Sequence, residues 1–164
     1  MNISLEKVLR IPKTHITKER FHLHRTTPPV FNKSHQRIAV AVYFFCLGLS
    51  FATWASRIPD IKASLRLSEA LLGTLLLALP AGQMLTLPFS GRIVARYGSK
   101  ITLGIAFVFY AFSLTNLGLA KEGWQLGLAL FAMGISGNLC NISVNTQAVS
   151  VEKMYGRPIL ASFH

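Results

Sequence analysis

Residues 123–151 have the sequence GWQLGLALFAMGISGNLCNISVNTQAVSV, 29 consecutive residues without a charged side chain. A soluble helix keeps a polar face toward water, whereas about 20 uninterrupted apolar residues cross the roughly 30 Å hydrocarbon core of a bilayer. The stretch therefore predicts a transmembrane helix. At about 1.5 Å per residue it would be about 43 Å long, so its last turns should project beyond the hydrocarbon.

Three more uncharged windows, of 19, 22 and 20 residues, lie at 38–56, 70–91 and 101–120. The whole chain of 164 residues is 51% hydrophobic and 14% charged, and every charged side chain falls outside the four windows. This composition excludes an ordinary soluble enzyme, a disordered chain and a disulfide scaffold. It predicts an all-α, polytopic membrane protein, a bundle of residues 37–158 with spans at about 38–55, 70–90, 101–120 and 124–149.

The net charge of +11 is unevenly placed along the chain. Successive spans alternate sides of a membrane, so the N-terminal tail, the link after span two and the C-terminal residues share one side. These segments carry 13 of the 17 Lys and Arg residues. The positive-inside rule then predicts a cytoplasmic N-terminus, in a bacterial inner membrane. A basic tail suits the headgroups of a lipid bilayer, so the charge requires no nucleic acid as a partner.

Residues 1–36 form the predicted tail, basic and mostly disordered, with a short amphipathic patch as the alternative. His22 and His24 lack a third ligand, so we predict no metal site. Cys46 and Cys140 lie inside apolar windows, where thiols behave as small hydrophobes. Residues 159–164 have the pattern of a fifth helix that begins and is truncated.

The clearest functional signal is a stripe of three asparagines in span four. Asn138, Asn141 and Asn145 recur at positions i, i+3 and i+7, which places three carboxamides on one helix face. Amides that face lipid would be unsatisfied, so this face should meet another helix or a wet cavity. Two interpretations stay open, a solute-binding surface and a contact that holds two helices together.

Span two contains a further polar candidate and two prolines. Gln83 either binds solute or, as we favour, caps carbonyls that Pro80 and Pro88 leave without a donor. No Asp or Glu lies in any uncharged window. Charge coupling would therefore depend on residues at the span boundaries, and the candidates are Asp60, Glu69, Glu152 and Arg157.

The link between spans two and three resembles a signature of the major facilitator superfamily. Gly91, Arg96, Gly98 and Lys100 match the signature between helices two and three of that family. Ala95 stands where the family has an aspartate, and Ser99 stands at the first of its two final basic positions. In the family this segment belongs to the cytoplasmic gate, so the resemblance implies a gating loop here.

Two other stretches resemble a bacterial branch of the same superfamily, related to fucose permease. They are residues 57–73 in the first outer link, and residues 141–164 at the end of span four and the start of a fifth helix. The resemblance covers residues 37–164. It implies a secondary transporter, not an enzyme, without a cofactor, that moves a small polar, sugar-like solute by alternating access. The family has twelve helices in two halves, of which this chain would supply the first four.

Other functions remain open at this point. A free-standing four-span protein without transport activity could act as an interaction or assembly partner. A small dimeric multidrug carrier is a weaker alternative, because span one lacks the membrane glutamate that such proteins share. For a truncated transporter, the expected partners are a small-molecule solute, the lipid bilayer, and either the missing remainder or a second copy of the chain.

Overall fold

The structure, a computed structural model, describes residues 32–156. Within this range 90% of the residues are helical and there is no strand. The helices are α1 (Lys33–Ser56), α2 (Ile58–Ser64), α3 (Glu69–Leu76), α4 (Ala78–Tyr97), α5 (Ser99–Leu119) and α6 (Gly123–Tyr155). Four helical segments are long and apolar enough to cross a membrane, namely α1, α3 with α4, α5, and α6. The predicted all-α fold with four spans is confirmed.

The spans begin and end differently from the prediction. α1 starts at Lys33, because the Asn32 side chain caps it by accepting a hydrogen bond from the Ser34 backbone N–H at 3.3 Å. Residues 33–36, predicted as tail, are therefore helical. The predictions for the rest of the tail, for His22 and His24, and for the fifth helix lie outside the described residues.

Pro80 divides span two into α3 and α4. Proline has no N–H, and its ring displaces the carbonyl four residues earlier, which belongs to Leu76, the last residue of α3. The chain tightens there, with the Leu77 N–H donating to the Thr74 carbonyl at 3.2 Å. At the other end of span two, Ser68 caps α3 by accepting a hydrogen bond from the Leu71 N–H at 3.2 Å.

The segment predicted as a gating loop is helical except at one residue. α4 continues through Arg96 to Tyr97, and α5 begins at Ser99. Gly98 makes the turn alone, with φ +84°, a backbone conformation that suits glycine. Its N–H donates to the Val94 carbonyl at 2.9 Å. The charges of this segment did not end span two because a helix can continue past the hydrocarbon into the headgroup region.

α6 is the central helix of the bundle. Half of its most apolar stretch is buried, against 11% for α1 and for span two. Its 33 residues extend about 50 Å, longer than the ~43 Å of the uncharged stretch, because the helix continues through four more residues. It ends at Tyr155, and Gly156 follows with a left-handed φ of +65°.

α4 and α6 cross at two glycines. A Cβ atom on Gly134 would collide with the Leu79 carbonyl, and a Cβ atom on Gly82 would collide with the Phe131 carbonyl. Small residues allow membrane helices to approach closely in this way. The crossing fixes which faces of the two helices meet, and therefore which residues remain for a site.

The bundle has two ends, which we call the Gly98 end and the Trp124 end. The Gly98 end holds the start of α1, the α4–α5 turn and the end of α6. The Trp124 end holds α2 and the start of α6. Lys62 and Glu69 form an ion pair at the Trp124 end, and because Glu69 is exposed the pair adds little stability.

Candidate functional site

A cleft of about 410 Å³ opens between all four spans near the middle of the bundle. We call it the central cleft. Its lining residues come from α1 (Phe44, Leu47, Gly48 and Phe51), α4 (Leu79 and Gln83), α5 (Tyr110) and α6 (Met133, Gly137 and Asn141). No charged side chain is among them. The cleft therefore combines an apolar wall with a few polar groups, which is the usual composition of a small-molecule site.

Three polar side chains line the central cleft. Within residues 32–156, the Gln83 carboxamide and the Tyr110 hydroxyl have no hydrogen-bond partner. Asn141 accepts one hydrogen bond through Oδ1, from the Nδ2 atom of Asn145 at 2.7 Å. The Asn141 amide N–H groups have no partner in that range. Hydrogen-bond donors and acceptors thus remain available to a solute in the cleft.

The asparagine stripe does not form one face of the cleft. Asn141 alone lines it. Asn138 is buried, 7% exposed, and its Nδ2 atom donates to the Thr86 hydroxyl of α4 at 3.1 Å. Asn145 also donates to the Asn141 backbone carbonyl at 2.9 Å, so it orients Asn141. The structure thus places Asn138 in the helix contact that the sequence left as the alternative.

The row of α6 that faces the cleft is spaced by four residues. Met133, Gly137 and Asn141 lie at i, i+4 and i+8. The Tyr110 ring packs over Gly137, where a Cβ atom would lie 3.2 Å from the ring atom Cε2. The ring can lie beside the cleft because Gly137 has no side chain. Asn138, one residue further along, is rotated by about 100° toward α4.

Gln83 is an exposed residue of α4 that lines the cleft. Pro80 and Pro88 leave the carbonyls of Leu76 and Met84 without a donor, and within residues 32–156 the Gln83 side chain donates to neither. The Gln83 side chain therefore does not perform the capping role that we favoured. The side chain is exposed in the cleft and can hydrogen-bond a solute.

The charge-coupling candidates do not line the cleft. Asp60 is exposed in the first turn of α2, at the Trp124 end. Glu152 lies near the end of α6, at the Gly98 end. Arg157 lies outside the described residues. Most of the length of α6 therefore separates Asp60 from Glu152. Neither residue lines the central cleft.

The four signature residues also lie away from the cleft, at the Gly98 end. Gly91 is an exposed residue of α4, and Gly98 makes the turn. The Arg96 guanidinium lies over the Tyr97 ring, 5.6 Å from its centroid. Lys100 lies in the first turn of α5 and lines a separate pocket with residues of α1 and α6.

Sequence reasoning missed the aromatic residues of the site. Tyr110 is 6% exposed, and Phe44 and Phe51 of α1 also line the cleft. Aromatic residues are frequent in any membrane span, so composition did not single them out. Among residues 32–156, no group of three or more His, Cys, Asp or Glu side chains could hold a metal ion.

The chain is similar to proteins that carry transporter names. It is 33% identical over 129 residues to an uncharacterized MFS-type transporter of Yersinia pestis, a match covering 79% of the chain and 34% of that protein. It is 34% identical over 125 residues to an uncharacterized transporter of Sinorhizobium fredii, covering 76% and 33%. It is 28% identical over 126 residues to the membrane protein MosC of Rhizobium meliloti, covering 77% and 31%. No protein-family model and no solved structure matches the chain.

The chain spans about one third of the length of these curated relatives. Four apolar helices of membrane-crossing length and bacterial relatives named as transporters point to the same class. The chain is a multi-pass membrane protein. MFS stands for the major facilitator superfamily, the family that the residues 91–100 resemble, so the similarity supports membership of that family.

Proposed function

We propose that the chain forms the first four spans of a major facilitator superfamily transporter, which moves a small, neutral, polar solute by alternating access. Four spans are one third of the twelve in that family, and the chain spans about one third of its relatives. The finer assignment, to the branch related to fucose permease, is supported by the patterns at residues 57–73 and 141–164.

The observation that carries the proposal is the uncharged central cleft, whose polar side chains keep donors and acceptors that have no partner within residues 32–156. The carboxamides of Gln83 and Asn141 offer donors and acceptors to hydroxyl groups. Phe44 and Phe51 offer apolar surface to the carbon face of a sugar ring. A monosaccharide has both kinds of surface and carries no charge, so it suits this lining.

Alternating access assigns roles to the two ends of the bundle. In transporters built from repeats, the site lies near the membrane midplane and one half rocks against the other around it. We propose that Arg96, Gly98 and Lys100 belong to the gate on the cytoplasmic side. Coupling to an ion would then depend on Asp60, Glu152 and Arg157, since the cleft itself holds no charge.

Solute binding by the full chain in lipid nanodiscs tests the proposal. The probes are D-glucose, D-galactose and L-fucose, with glucuronate and glucosamine as charged counterparts. We expect saturable binding of at least one neutral sugar and none of the charged ones. Asn141→Leu should weaken binding about three- to tenfold, the value of one or two hydrogen bonds, without changing the melting temperature.

A matched asparagine provides the control. Asn116, on α5, donates to the Phe112 carbonyl of its own helix and does not line the cleft. Asn116→Leu should leave sugar binding unchanged. Equal loss of sugar binding in Asn141→Leu and Asn116→Leu, or preferred binding of the charged sugars, would contradict the assignment of the cleft as the solute site.

Transport provides an independent test. The chain supplies one wall of the cavity that the proposal requires, so liposomes containing it alone should show no saturable uptake of these sugars. Saturable, proton-dependent uptake would show that four spans suffice. That result would favour the small dimeric carrier over the larger transporter.

A further inference from the structure

A second concavity, of about 510 Å³, lies between α4, α5 and α6 and shares no lining residue with the central cleft. We call it the α4–α5 groove. α4 and α5 form its walls, and α6 contributes Ala132, Ile135, Ser136 and Leu139. Any occupant of the groove would therefore be independent of the solute in the central cleft.

The surface of the groove suits hydrocarbon. Ile105 and Phe109 line it and are 57% and 60% exposed. The hydroxyls of Ser113 and Ser136 donate to carbonyls of their own helices, both at 2.8 Å. The Thr102 hydroxyl oxygen is sealed from the surface. An occupant of the groove would meet apolar atoms almost everywhere.

The length of the groove matches one leaflet of a bilayer. It follows α5 from Ile101, near the Gly98 end, to Ser113, a distance of about 18 Å at the rise of an α-helix. The hydrocarbon of one leaflet is about 15 Å thick, half of the bilayer core. An acyl chain standing in that leaflet would fill the groove lengthwise.

Positive charge lies at the headgroup end of the groove. Arg92 and Arg96 are exposed, and each directly precedes a residue of α4 that lines the groove. The Arg96 guanidinium lies 5.6 Å from the ring centroid of Tyr97, one of those lining residues. The sequence from residue 70 to residue 121 contains no Asp or Glu. Among the described residues at this end, the acidic side chain is Glu152 of α6, which does not line the groove.

We propose that the α4–α5 groove binds one anionic phospholipid, with an acyl chain along α5 and the phosphate against Arg92 and Arg96. Basic residues at the end of an apolar groove provide the charge complementarity that such a lipid requires. A partner helix in the groove would contact two arginines that no acidic side chain of the groove neutralises. The proposal depends on the membrane location of the chain and not on the solute of the central cleft.

Native mass spectrometry of the full chain in detergent tests this site. Phosphatidylglycerol and phosphatidylcholine with identical acyl chains are added at equal concentration, and the bound lipid is counted for each. Basic residues near a membrane surface favour anionic lipid by about fivefold each, so two arginines predict a preference of about 30-fold. The Arg92→Gln and Arg96→Gln double variant should lose this preference.

Two control pairs separate the groove from general charge and from general hydrophobicity. Lys33→Gln with Arg37→Gln removes two charges from the same end, on α1 outside the groove, and should keep the preference. Ile105→Trp fills the groove and should reduce binding of both lipids, whereas Val108→Trp, at an exposed position outside it, should not. Circular dichroism melting verifies that each variant folds.

Several results would overturn the proposal. If the protein retains the two lipids equally, the arginines do not select the anionic lipid. If it retains neither lipid, the groove is not a lipid-binding site. Equal loss of preference in both double variants would show a general charge effect. A dimer mass that Ile105→Trp abolishes would assign the groove to a second copy of the chain.

Discussion

Replacing Gly134 with alanine should loosen the crossing of α4 and α6 and lower the stability of the whole bundle. The added Cβ atom would collide with the Leu79 carbonyl oxygen, and it would lie 3.0 Å from the Leu79 carbonyl carbon and 3.2 Å from the Gln83 backbone nitrogen. All three atoms are backbone, so no rotamer change relieves the collision. The helices themselves must separate, and Leu79 and Gln83 of the central cleft move with α4.

The size of the effect follows from two opposed contributions. Overpacking a closely packed contact lowers the free energy of unfolding by about 1–3 kcal/mol, and the rigid backbone on both sides favours the upper half of that range. Alanine is better than glycine within a helix by about 1 kcal/mol. The net loss is therefore about 1–2 kcal/mol. For a chain of this size we expect the melting temperature to fall by about 2–8 °C.

Size-exclusion chromatography after heating measures this change on purified protein in detergent. Gly104→Ala is the matched control, because nothing lies within 4 Å of a Cβ atom at that exposed position of α5. Its melting temperature should stay constant or rise. Gly82→Ala acts at the same crossing. The melting temperature of the double variant should therefore fall by less than the sum of the two single decreases. Equal melting temperatures for Gly134→Ala and Gly104→Ala would refute the close approach of α4 and α6.

Other predictions concern buried polar groups and topology. Asn138→Leu breaks the bond to Thr86 and should lower the melting temperature, whereas Asn141→Leu should not; the same heating assay compares them. Thr102→Val replaces a buried hydroxyl that has no hydrogen-bond partner within residues 32–156, so the melting temperature should stay constant or rise. A lower melting temperature would show that the hydroxyl does form a hydrogen bond. Reporter fusions after Lys62 should be exposed outside the cell and fusions after Arg96 inside; the reverse pattern would contradict the orientation that the charge distribution predicts.

The sequence predicted the number of spans because the signal is local. Each uncharged window is long enough to cross hydrocarbon regardless of its neighbours, and the structure contains the four helices. The cause of the interruption of span two is also local, because the missing N–H is a property of Pro80 itself. The errors fell at the ends of the spans. Arg92 and Arg96 lie on the same helix as the apolar residues before them, since charge does not end a helix that leaves the membrane.

The site was only partly predictable. Gln83 and Asn141 are polar residues in apolar surroundings, and the structure brings these two together in the central cleft with Tyr110. Asn138 has the same chemistry and similar spacing, yet it hydrogen-bonds Thr86. The side chains of Asn138 and Asn141 differ by about 60° of rotation on α6, and sequence spacing does not state which neighbour lies in each direction.

The sequence by itself therefore determined that the protein is a multi-pass membrane protein with four spans, because this depends on the transfer of each segment from water to lipid. Tertiary structure decided which polar groups face a cavity and which join helices. The reason is the close approach at Gly82 and Gly134, which sets the rotation of α4 against α6. That rotation is a property of two helices packed together, and neither helix specifies it alone.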